Sequence, residues 1–166
     1  MLRIMLVLLV FSVFFYSSCD YIPVKKRLLV YTQITATNDT LDKLTREWHQ
    51  LLYMSTRDKN FTRLQPSRIK IGQFLSRNRA IIANMQVRQD SQNLIDSEEV
   101  YLSNQATVVS DVYTPFEEYN EMTPNDNING QLKLVANDLN NVVSGKNAIS
   151  QSLQAYLTRN KMQVKK

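Results

Sequence analysis

Few residues in this 166-residue chain could carry out chemistry. His49, the only histidine, follows the only tryptophan, Trp48. As a general base it needs an orienting partner and a position facing substrate. The sequence offers neither a G-x-S-x-G elbow nor a recognisable triad. A histidine metal site draws on several ligands, commonly more than one imidazole at helical spacing, and one imidazole falls short of that. Asp96, Glu98 and Glu99 supply carboxylate oxygens, but their DSEE spacing is no EF-hand loop and reads as a solvated acidic face. The single cysteine, Cys19, makes neither an intramolecular disulfide nor a zinc site. We therefore assign no catalytic residue, cofactor-binding residue or metal ligand, and expect a protein that is not an enzyme.

Four polar residues stand where apolar ones would be expected. Asn78, Glu98, Gln105 and Lys146 fall at positions that continue hydrophobic helical stripes. Buried there, they must be hydrogen-bonded, and such residues fix the register of neighbouring helices. The alternative is a polar pocket in a bundle core for a small ligand. The segment YTPFEEY, Tyr113 to Tyr119, reads either as the aromatic closure of a core or as a contact surface.

The elements that hold these residues are helical. Glycine and proline number three and four, too few for the turns of a sandwich or barrel. Residues 20–36 read as an extended tether or a first short helix, with a basic triplet at Lys25, Lys26 and Arg27. Asn38 or Asp39 is expected to cap a helix striped by Leu41, Leu44, Trp48, Leu51 and Leu52 that runs to about Thr56. Pro66, at a first helical position, opens a second, striped by Ile71, Phe74, Leu75, Ile81, Ile82 and Met85. The third pattern, Leu94, Glu98, Tyr101, Gln105, Val108 and Val112, alternates intervals of four and three as a bundle seam does. Between these two patterns QVRQDSQN lacks a breaker, and a turn is placed there on charge and length. Pro115 predicts an end or kink at Thr114.

TPNDNING, Thr123 to Gly130, predicts a loop. Beyond it one stripe from Leu132 to Tyr156 keeps its phase across Gly145, which predicts a single long helix over about 129–161. Charge is segregated too. Arg57 to Arg88 holds eight basic residues and one acid, whereas Gln89 to Gly130 holds nine acids and no Lys or Arg. Antiparallel neighbours would let these fields complement each other; the rival reading turns the two faces outward to different partners. The net charge of +5 is moderate and lacks the basic patches with interleaved aromatics that mark nucleic-acid binding.

The first residues form a leader. Arg3 precedes an apolar run from Ile4 to Tyr16, which Ser17, Ser18, Cys19 and Asp20 end before the ~20 residues a membrane span requires. Tyr16-Ser17-Ser18-Cys19 resembles the lipobox of bacterial lipoproteins, with Tyr16 where that family carries Leu or another aliphatic residue. The resemblance covers residues 1–20. It implies diacylation of the Cys19 sulfur and cleavage before Cys19. In some Gram-negative members of this class an Asp after the cysteine implies retention at the inner membrane.

The expectation is thus a signal peptide (1–18), a lipid-anchored basic tether (19–36) and an all-α domain (37–166), an antiparallel bundle of about four helices. It would face the periplasm or exterior from the cell membrane or outer membrane, held by acyl chains on Cys19. The function expected is a non-enzymatic interaction or structural module with a protein partner in the envelope and no nucleic acid. The alternative is a periplasmic sensory or small-ligand-binding bundle working through a partner protein.

Overall fold

The computed structural model describes residues 24–85 and 89–162. The expected leader, Cys19 and the start of the expected tether lie outside the described residues, as do Gln86 to Arg88 of the expected turn. The described chain is an all-α bundle of four long helices: α1 (Val24–Asp58), α2 (Leu64–Ala83), α3 (Gln89–Val108) and α4 (Asn125–Arg159). At 1.5 Å per residue α1 and α4 each span about 50 Å. Consecutive helices are antiparallel. The start of α2 meets the turns that follow α3 through Arg68 and Glu117, and those turns meet the start of α4 through Gln131 Nε2, which donates to the Val112 carbonyl at 2.7 Å. α1 and α3 run parallel across the bundle, joined through Asn38 with Glu98 and His49 with Tyr113.

Two boundaries differ from expectation. The 36/37 division and the cap at Asn38 are absent: α1 passes through both without interruption. Its buried row, Val30, Ile34, Thr37, Leu41, Leu44 and Trp48, steps by four and three. The polar Thr37 hides that continuity in the sequence, and no Gly or Pro breaks the helix. The expected loop TPNDNING also shortens. Pro124 takes an extended conformation (ψ 140°), and its carbonyl accepts from Asn127 and Ile128 N–H at 3.1 and 3.3 Å. Ile128 is buried, so packing pins a first turn whose Asn-rich composition argues for a loop.

Other expectations are observed. α2 and α3 are separate helices, and α4 runs straight through Gly145. Pro66 stands in the first turn of α2, where its missing N–H has no intrahelical partner to lose. Pro115 does mark a change of geometry. α3 continues as a π-helical turn, Val109–Tyr113, and then a 3-10 turn, Thr114–Glu118. Carbonyls freed there are partnered: Thr114 Oγ1 donates to Val109 O at 3.1 Å, and Gln131 holds Val112 O.

One hydrophobic core runs the length of the bundle, from Val30 to Tyr156. Its lower end is aromatic. Trp48 stacks on Tyr113 with ring centroids 3.7 Å apart, while Phe61, Phe116 and Tyr119 form edge-to-face and stacked contacts beside them. YTPFEEY therefore closes the core. Two apolar residues expected in stripes point outward instead, Ile81 and Leu139, each 41% exposed. Polar residues, Asn78 and Asp138, take the buried turns nearby.

Candidate functional site

The polar residues of the core gather where α1 crosses α3, with α2 and α4 on either side. Thr37 donates to Asn78 Oδ1 at 3.2 Å, and Asn78 Nδ2 returns to Phe74 O at 2.9 Å, a local bond that satisfies the amide within its own helix. One residue on, Asn38 Nδ2 donates to Glu98 Oε2 at 3.1 Å. Glu98 is wholly buried, and burial, opposed by the Asn38 hydrogen bond, pushes its carboxyl up to about 7. Asn38 Oδ1 and Glu98 Oε1 have no hydrogen-bond partner. Both are acceptors when Glu98 is ionised; the neutral acid supplies one O–H donor, the chemistry an orphan carbonyl requires.

Lys146 does not join this interior cluster. It is half-exposed and pairs with Asp42, tying α4 to α1 at the bundle surface. Gln105 is buried one to two turns beyond Glu98 on α3. The sequence-selected polar residues thus divide between a buried layer and a surface clasp. Small cavities flank the clasp: one of about 160 Å³ bordered by Thr35, Asn38 and Tyr101, and one of about 130 Å³ bordered by His49 and Gln105.

His49 lies at the aromatic end. Its Nε2 is 3.2 Å from the Tyr113 hydroxyl, and burial lowers its pKa, favouring the neutral ring. Burial also raises the Tyr113 hydroxyl, which therefore stays protonated; which of the two groups donates follows from the imidazole tautomer. Eleven residues of α1 separate His49 from Asn38, so the imidazole and Glu98 are about 16 Å apart along the bundle and share no reaction centre. The DSEE carboxylates also diverge: Asp96 is exposed, Glu98 is in the core and Glu99 is half-buried. Among the described residues no group of three metal-ligating side chains lies together.

The expected charge complementarity is met at one point between the basic and acidic segments. Arg68 forms a two-pronged pair with Glu117, one N–H···O contact being 3.1 Å, and this holds the Arg68 guanidinium above its ordinary pKa. Elsewhere in the described residues basic groups pair with α1, as Lys70 does with Glu47 and Arg63 with Asp58.

A larger concavity adjoins the cavities at the Lys146–Asp42 clasp and shares Tyr101 with both of them. It is a groove of about 880 Å³ between α3 and α4. Val100, Val142, Ala148 and Ile149 contribute apolar walls, and Asp96, Asp111 and Asp138 contribute carboxyls; no Lys or Arg lines it among the described residues. Burial raises the Asp138 carboxyl. The floor is kept low by Gly145, where an added Cβ would stand 2.9 Å from Tyr101 Cδ2. The signal in the sequence was the preserved phase around a mid-helix glycine, which marks a close approach but not its partner. Compared with known proteins, the chain matches no family model, no curated protein and no solved structure.

Proposed function

We propose that this chain is an envelope lipoprotein, attached to a membrane by acyl chains on Cys19, whose bundle is a non-enzymatic interaction module. The lipobox-like Tyr16 to Cys19 at the end of a short apolar run carries the reading of the anchor. Two or three acyl chains give stable attachment where one is marginal. α1 begins at Val24, five residues after Cys19, a reach of at most ~18 Å. Leu28 and Leu29, 46% and 60% exposed, would then lie at the membrane-proximal end.

An interaction role is favoured over a small-ligand role by the size and shape of the concavities. Those beside the interior polar residues are about 160 and 130 Å³, below the ~300 Å³ at which ligand pockets ordinarily begin. The larger concavities, of about 880, 470 and 400 Å³, are open surface grooves between helices. The anchor is tested by feeding cells a labelled fatty acid: native protein is expected to incorporate it and Cys19→Ser to lose it. Absence of label in the native protein would remove the lipoprotein reading.

A further inference from the structure

We propose that the α3–α4 groove is the docking site for a cationic amphipathic helix of another protein. This rests on reading the bundle as an interaction module and names the chemistry of its partner. The floor is apolar, and Val100 stands 61% exposed within it, an apolar side chain that the chain's own core leaves uncovered. Small residues, Ser144, Gly145 and Ala148, line the α4 side and leave room for another backbone.

Charge identifies the occupant. Asp96 stands at one end of the groove; fifteen residues on, about 22 Å, Asp111 in the π-helical turn that extends α3 stands at the other, with Asp138 beside that end on α4. That length matches four turns of helix. A partner helix with an i, i+3/i+4 apolar stripe and basic residues about four turns apart would place a cation at each acidic end. A second copy fits less well. In and just before α2 of this chain, Arg63, Arg68 and Lys70 are already paired with Asp58, Glu117 and Glu47, and Arg77 and Arg79 are two residues apart.

The test uses the full chain in detergent micelles. The probe is an 18-residue peptide with a leucine stripe, lysines near both ends and a central photoreactive benzophenone. Cross-links to Val100 and Asn104 on α3 and to Ser144 or Ala148 on α4 are expected. Ala148→Trp, which fills the floor without changing charge, should cut the yield at least tenfold; Ser144→Trp serves if circular dichroism shows that Ala148→Trp unfolds. Asp96→Asn combined with Asp111→Asn should lower the yield several-fold at low salt and little at high salt. Equal labelling by the lysine-to-glutamate peptide, or labelling that survives both tryptophan blocks, would overturn the proposal. A dimer seen by analytical ultracentrifugation without peptide and abolished by the tryptophan blocks would overturn it in favour of self-association. Acylation of Cys19 is read in a separate assay, so failure of docking and failure of the anchor are distinguishable.

Discussion

Asn38 on α1 and Glu98 on α3 share a 3.1 Å hydrogen bond in the core, and the atom left without a partner on each is the other oxygen of that same pair. An ionised Glu98 leaves both unpartnered atoms as acceptors, while a protonated one supplies an O–H donor. The folded carboxyl is raised to about 7 from an ordinary 4.5. With the folded value above the unfolded one, the contribution to stability is fully present below pH 4.5. It is lost as pH rises to about 7 and changes no further above that. The loss is ~3 kcal/mol. Urea denaturation at pH 5 and pH 8 measures it. Burial lowers the His49 pKa, which adds stability with rising pH, so the Glu98 part is read as the difference from Glu98→Gln, whose amide donates without titrating; the native protein should lose stability relative to that variant between pH 5 and pH 8, and parallel profiles would refute the account.

Gly145 and Gly130 both lie in α4 and should respond oppositely to alanine. Nothing stands within 4 Å of a Cβ added at Gly130, so Gly130→Ala should stabilise by about 0.5–1 kcal/mol through helix propensity. At Gly145 the new methyl meets two ring carbons of Tyr101, which is 4% exposed and has little freedom to retreat. Gly145→Ala should therefore destabilise by about 1–2 kcal/mol despite the same propensity gain. Thermal melts of the two variants, compared side by side, give the sign of each.

The ion pairs should separate by burial. Arg68 and Glu117 keep only 22% and 13% of their side-chain surface and join α2 to the turn after α3. A double-mutant cycle on this pair should return about 1–2 kcal/mol of coupling. Lys70 and Glu47, at 63% and 41% exposure, should return less than about 0.5 kcal/mol, and that little should vanish in high salt.

Hydrophobic spacing specified the helical class and the continuity of α4 across Gly145, because a 3.6-residue repeat in an apolar stripe can be buried in only one way; the break between α2 and α3 was legible only from charge and length, since QVRQDSQN carries no Gly or Pro. The same rule failed at Thr37 and in NDNING. There, polar residues adopt helix because neighbours across the bundle, Asn78 for Thr37 and the core around Ile128, make the helical alternative the better paired one. Position could also mark Asn78, Glu98 and Gln105 as interior, since each continues an apolar stripe. It could not pair Glu98 with Asn38, sixty residues away, or send Lys146 outward to Asp42. Those outcomes depend on which helix lies opposite and at what height, a relationship between distant segments that no local spacing encodes. The α3–α4 groove belongs to the same class: its carboxyls come from two helices, and only their packing sets them around one apolar floor.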